Sequence, residues 1–276
     1  MDLFPRSFLL VFAELAVGGF FCLSLPPFHD IDRGYYKSCS VVYLASALLA
    51  LAGRAALFFE HGVSDASFLE SFELCLWTLF VVSASGYFWS LWDEYVVLRA
   101  RLFAATWIVG FLALIVAAES YREAPILSVE TVLYPITFVI SALLLGSGSG
   151  GMLLGHWYLI DRDLSLDPLK RMLRLYVGTL AAQLAILLVG GVLVLIVGAE
   201  PTVQALYRLV GEHRSLLIVR LIVSPVGAAA LGAMIWRTLQ IPQTMAATGL
   251  FYIAVLAVLV GEFLGRFILF RTGLPV

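Results

Sequence analysis

Hydrophobic and polar positions along the chain fall into long blocks: apolar stretches of about 20 residues or more, separated by short polar segments. A helix rising 1.5 Å per residue needs about that length to cross the roughly 30 Å hydrocarbon core of a bilayer. This pattern predicts eight spans, near residues 7–27, 38–59, 70–92, 99–118, 127–158, 173–198, 215–238 and 244–268. The connections between them are short, so the expected fold is all-α integral membrane, with one membrane domain over residues 1–276 and no soluble domain. The fifth stretch is too long to stand upright. It contains Pro135 and the glycine-serine run 146–151, so it is expected to tilt, kink or extend past the lipid. The first stretch has no basic leader and no small-residue cleavage site before Pro26, and it is read as a retained helix.

Composition agrees with the pattern. Hydrophobic residues make up 62% of the chain and charged residues 13%, with a mean hydropathy of +0.99. A soluble domain typically carries about 25% charged residues. The net charge of −2 provides no basic face, so nucleic acid is not an expected partner; membrane lipids are. Cys22, Cys39 and Cys75 show no CxxC spacing and sit in or beside apolar runs, which reads as packing, with no metal site.

The charges that do fall inside apolar stretches are the chemically informative ones. Glu14, Arg54, Glu73, Glu130, Arg220, Glu262 and Arg266 all lie, on this topology, in the same half of the membrane. A charge at mid-bilayer costs roughly 2.5–3.5 kcal/mol on insertion scales, so seven in one leaflet point to a polar site there. Basic residues in the connections set the orientation. Nine (Arg33, Lys37, Arg99, Arg101, Arg162, Lys170, Arg171, Arg174 and Arg237) flank one side against five (Arg6, Arg122, Arg208, Arg214 and Arg271) on the other, which puts both termini outside, in the periplasm of a bacterial inner membrane.

A faint internal repeat relates Gly18-Gly19 followed by Ile31-Asp32-Arg33 to Gly150-Gly151 followed by Ile160-Asp161-Arg162. An even number of intervening helices makes such repeats parallel, which predicts two four-helix bundles, 1–118 and 119–276. A tripeptide match is also what coincidence produces. The small residues from Gly18 to Gly151 read as helix contacts, because no Lys-Ser/Thr follows to complete a phosphate loop.

Two segments carry a resemblance. Phe12 to Phe21, with Glu14 and Gly18-Gly19, and Val260 to Arg266, with Glu262, Gly265 and Arg266, resemble the ends of the membrane anchor subunit of bacterial DMSO reductase, one of the polysulfide-reductase-type anchors of molybdopterin enzymes. The likeness covers the ends of the chain well and the middle poorly. It implies a subunit without a redox centre that binds a quinol, menaquinol or ubiquinol, near the outer face. Electrons would pass to an iron-sulfur cluster subunit and then to a molybdopterin-type catalytic subunit. It also implies that a histidine after the second span and an acidic residue in the third line the pocket. His61 matches the first, and Glu73 or Glu70 the second. The family's Ser-Pro-x-Arg stretch after that histidine is replaced here by Val63-Ser64-Asp65-Ala66, so Arg54 is the candidate to supply the missing guanidinium.

The residues themselves are compatible with that chemistry. Oxidising a quinol releases two protons, which calls for bases beside each hydroxyl and a route to water. His61 titrates near neutrality and a buried carboxylate can be tuned to relay a proton, which makes His61, Glu73 and Glu14 the candidate catalytic groups. Arg54, Glu70, Glu130 and Arg220 are candidate quinone contacts. Blander readings stand beside these: His61 as a loop histidine, Glu70 as a solvated helix start, Arg54 and Arg220 snorkelling to the interface, and Glu262 with Arg266 as a structural i,i+4 ion pair. Tryptophans such as Trp77 and Trp89 read as interfacial belt residues. All four histidines, His29, His61, His156 and His213, fall at span ends, so no haem is expected, although His29 and His156 occupy equivalent places in the repeat. A transporter would need polar groups in the other leaflet, where Gln183 and a few serines are all that is found. A purely structural anchor is the remaining alternative.

Overall fold

The computed structural model describes residues 3–61, 67–161, 164–241 and 243–276, with the side chain of His61 outside that set. The described residues are all-helical. The helices are α1 (Leu3–Cys22), α2 (Arg33–His61), α3 (Phe68–Ser90), α4 (Val96–Ser120), α5 (Glu130–Ile160), α6 (Asp167–Ala185), α7 (Gly191–Val197), α8 (Glu200–Glu212), α9 (Arg214–Leu221), α10 (Ala229–Gln240) and α11 (Thr244–Thr272). α6 runs into α7 through a π-helical segment, Ile186–Gly190, and α9 into α10 through another, Ile222–Ala228. Counting each of those as one rod, eight helices among the described residues are long and apolar enough to cross a membrane. Many of their outward side chains are large and apolar, as lipid-facing surfaces require, among them Leu188, Ile196, Ile222 and Val226.

Local chemistry sets several of the boundaries. Ser67 and Glu70 form a reciprocal capping box that starts α3, and Gly273, at φ 83°, ends α11 in the left-handed conformation that glycine adopts without steric cost. α5 is one uninterrupted helix through Pro135, 31 residues and so about 46 Å long, which exceeds the lipid core as expected. The second π segment contains Pro225, which has no N–H to donate; widening the hydrogen-bond register there accommodates the ring.

α1 and α5 form the centre of the molecule, with α11 packed on both. α2 and α4 flank α1, and α3 joins α2 to α4; on the other side α6 packs on α5, and α10 packs on both α6 and α11. The α1–α5 contact is backbone to backbone. A Cβ on Gly18 would lie 1.7 Å from the Ala142 carbonyl oxygen, and one on Gly146 would lie 2.2 Å from the Gly18 carbonyl. Only glycine permits helices to approach this closely.

One connection differs from expectation. The segment between the sixth and seventh spans, expected as a short loop, forms the amphipathic helix α8, whose Ala205 and Leu209 bury against Ile268 and Leu274. Its polar face breaks the apolar window that finds spanning helices, which is why hydropathy passes over it.

Candidate functional site

The start of α1 and the end of α11 lie together, Phe4 against Phe263 and Arg6 in one cavity with Phe270, and the polar interior is concentrated at that end. A further charge, Arg99, is buried near the start of α4 at the opposite end, and the seven charges singled out in the sequence, of which Arg54 is half-buried, do not form one site. They divide into three environments.

The first is a cavity of about 530 Å³, within the usual range for small-molecule pockets. Its walls come from the first turns of α1 (Arg6, Leu9, Ala13), the last turns of α2 (Arg54, Leu57, Phe58), the start of α3 (Glu70, Glu73, Trp77), the end of α4 (Glu119 to Arg122) and Phe270 of α11. Glu73 is its most buried carboxylate, 1% exposed. Arg54 Nη2 lies 2.5 Å from Glu73 Oε2, Trp77 Nε1 donates to Oε1 at 3.2 Å, and Ser120 Oγ donates to Oε2 at 3.2 Å. Glu70 also lines the cavity, but its Oε2 accepts the Ser67 backbone N–H at 2.9 Å as part of the α3 cap. Glu119 is held by Arg122 at 2.7 Å. Tyr121, just beyond the end of α4, lies in the fields of Glu73, Arg54, Arg6 and Arg266; burial, and then the charge of Glu73, pushes its hydroxyl up to about 12, so it remains a proton-bearing donor.

The second environment is a charge network shared by α1, α6, α9 and α11. Arg266 Nη2 lies 2.5 Å from Glu14 Oε1, and its guanidinium stacks over the Phe138 ring at 4.1 Å. The i,i+4 pair expected between Glu262 and Arg266 is thus replaced by a cross-helix pair. Glu262 instead accepts from Gln183 Nε2 at 2.5 Å and sits 3.8 Å from Arg220. Arg220 Nη1 also donates to the Gly261 carbonyl at 3.3 Å. Gln183, assigned from sequence to the opposite leaflet, therefore belongs to this network. Gln183 and Arg220 each sit three residues or fewer before a π-helical segment, and the wider turns that follow coincide with the helices' approach to Glu262. Glu14, eleven residues after Leu3, lies about 16 Å along α1.

The third environment is Glu130, whose Oε1 accepts the Ala199 backbone N–H at 2.7 Å and so satisfies the N-terminus of α8. Of the sequence candidates, the cavity brings together Arg54, Glu70 and Glu73. Glu14, Arg220, Glu262 and Arg266 lie in the network and Glu130 at α8. The side chain of His61, the last residue of α2, lies outside the described residues.

Between cavity and network stands a short aromatic partition. The Tyr121 ring centroid is 6.1 Å from Phe138 and 5.3 Å from Phe270, and Phe138 also lies under the Arg266 guanidinium. Sequence reading missed Trp77, Ser120, Tyr121 and Arg6 as cavity residues. Trp77 was legible in principle, since it follows Glu73 by four residues and must share its helical face. Ser120 and Tyr121 carried no such signal. His29 and His156 are both exposed, the first 3.4 Å from Asp30 and the second 3.4 Å from the Tyr252 hydroxyl.

No family model matches the chain, and no similar curated protein or solved structure is found.

Proposed function

We propose that this chain is the membrane anchor subunit of a respiratory oxidoreductase, binding a quinol in the Arg54–Glu73 cavity. In this reading both termini face the periplasm, helices one to four and five to eight form two bundles, and an iron-sulfur subunit docks over the cavity and passes electrons to a molybdopterin-type subunit. The observation that carries it is Glu73: a nearly inaccessible carboxylate on the wall of a cavity of ligand size, with three side-chain donors fixing its orientation. The likeness of residues 12–21 and 260–266 to DMSO reductase-type anchors adds support from the sequence.

The residues suit the ligand. Quinol oxidation supplies two electrons and two protons to its surroundings. Glu73 stands where it can accept one hydroxyl proton, the second passing to water, and Arg54 balances the charge of its carboxylate form. Leu9, Leu57 and Phe58 offer an apolar wall for a ring and the start of a prenyl tail. Glu14, Glu130 and Arg220 have no place in this version of the site, since each is engaged elsewhere.

Trp77 provides the test. Binding of a short-chain quinone to the purified protein is expected to quench the fluorescence lost in Trp77→Phe, with Glu73→Gln weakening the quench and Glu130→Gln leaving it intact. Saturable binding that ignores both Glu73 and Arg54 would remove the cavity from consideration.

A further inference from the structure

The cavity contains three guanidinium groups and three carboxylates, but they are not matched. Arg54 is paired with Glu73, and Arg122 with Glu119. Glu70 is committed to the α3 cap. Arg6 is left over: among the described residues it makes no ion pair and no hydrogen bond, and its Nε is shut away from solvent without a partner. Its Nε is the enclosed donor, and an acceptor reaching the guanidinium would restore the hydrogen bond that this atom has lost to water.

Its position narrows what that acceptor is. Arg6 lies three residues after Leu3, about 5 Å along α1, whereas Glu73 lies five residues inside α3 and Arg54 seven residues before the end of α2. Arg6 is therefore nearer its own helix end than Glu73 or Arg54 is, the order that sets a headgroup-level cation above an acyl-level pair. One turn below Arg6 the wall is apolar, at Leu9 and Leu10, and it continues in Leu57, Phe58 and Leu69. Exposed Phe59, Phe68 and Phe72 stand on the neighbouring surface of α2 and α3, open to lipid. An anionic oxygen above an apolar chain satisfies both levels at once.

We infer that Arg6 binds the phosphate of an anionic phospholipid, whose acyl chain runs along the exposed Phe59, Phe68 and Phe72 on the neighbouring surface of α2 and α3. The contact is separate from the quinol end and does not rest on the quinol reading. The guanidinium fork suits a phosphate, and a phosphatidylcholine offers the same phosphate masked by its own cation, so the site distinguishes the two headgroups by net charge.

Native mass spectrometry of the full chain, released from matched micelles containing phosphatidylglycerol or phosphatidylcholine, measures that preference directly. Wild type is expected to retain phosphatidylglycerol over phosphatidylcholine by about fivefold, the worth of one basic residue near an anionic membrane surface. Arg6→Gln is expected to remove the preference and Arg6→Lys to keep most of it, which guards against a variant that merely misfolds. Glu73→Gln is expected to bind lipid as wild type does while losing quinone-dependent quenching, so the two proposals fail separately. An unchanged preference in Arg6→Gln overturns the inference. So does equal retention of inorganic phosphate in place of the lipid, and so does loss of the preference in Glu73→Gln.

Discussion

Arg266 of α11 and Glu14 of α1, 252 residues apart in the chain, meet as a fully buried ion pair, with Arg266 Nε 3.1 Å from Glu14 Oε2 and Nη2 2.5 Å from Oε1. The pair ties the first spanning helix to the last across the central helix, α5, whose Phe138 lies under the guanidinium. A second carboxylate, Glu262, lies one turn from Arg266 yet turns to Gln183 and Arg220. Two acids and two bases thus neutralise one another in a region where an isolated charge is hard to sustain.

Breaking that pair on one side leaves an uncompensated charge. Arg266→Met is expected to lower stability by about 3–5 kcal/mol, and adding Glu14→Gln to recover much of the loss, because the double variant buries no lone carboxylate. Unfolding in mixed detergent–SDS micelles measures both. Equal losses in the single and double variants would show that the two residues do not act as a pair.

The α1–α5 seam has no room for a side chain. Gly146→Val is expected to force the helices apart and cost at least as much as ordinary overpacking, about 1–3 kcal/mol, while the same change at Gly178, which has open space around its Cα, is expected to be nearly neutral. Thermal denaturation of the two purified variants makes the comparison, and similar midpoints would count against the close approach.

Glu130 is expected to matter for α8 alone. Removing its carboxylate in Glu130→Ala takes away the acceptor for the Ala199 N–H, a loss of about 1 kcal/mol by analogy with other helix caps. Hydrogen exchange should quicken at the first turn of α8 and remain unchanged in α3. Protection that stays at the wild-type level in α8 would remove this role.

For the assembled complex, Glu73→Gln is expected to slow quinol oxidation by roughly 10²–10⁴-fold, the usual contribution of a positioned general base. Glu130→Gln should leave the rate within error of wild type. Steady-state quinol oxidation by membranes carrying each variant is the measurement, and a fully active Glu73→Gln would leave the anchor a structural role only.

The sequence by itself determined the all-helical class and the eight helices long and apolar enough to cross a membrane, because the cost of placing polar backbone in hydrocarbon leaves long apolar helices as the only solution and those are written as uninterrupted runs. It also determined that the buried charges crowd toward one end, since depth along a helix follows from residue count. Partners were another matter. Spacing along one helix suggested Glu262 with Arg266, yet neighbouring helices offered each a better one, and only the packing of α1, α6 and α9 against α11 decided which. Tertiary structure likewise placed Glu73 on the cavity wall and Glu14 in the pair with Arg266, moved Gln183 into the charge network, and turned a loop into α8. A linear pattern records how deep a side chain lies and which face of its own helix it shares; the rotation of each helix toward its neighbours is fixed by contacts such as Gly18 against Ala142, between residues far apart in the chain.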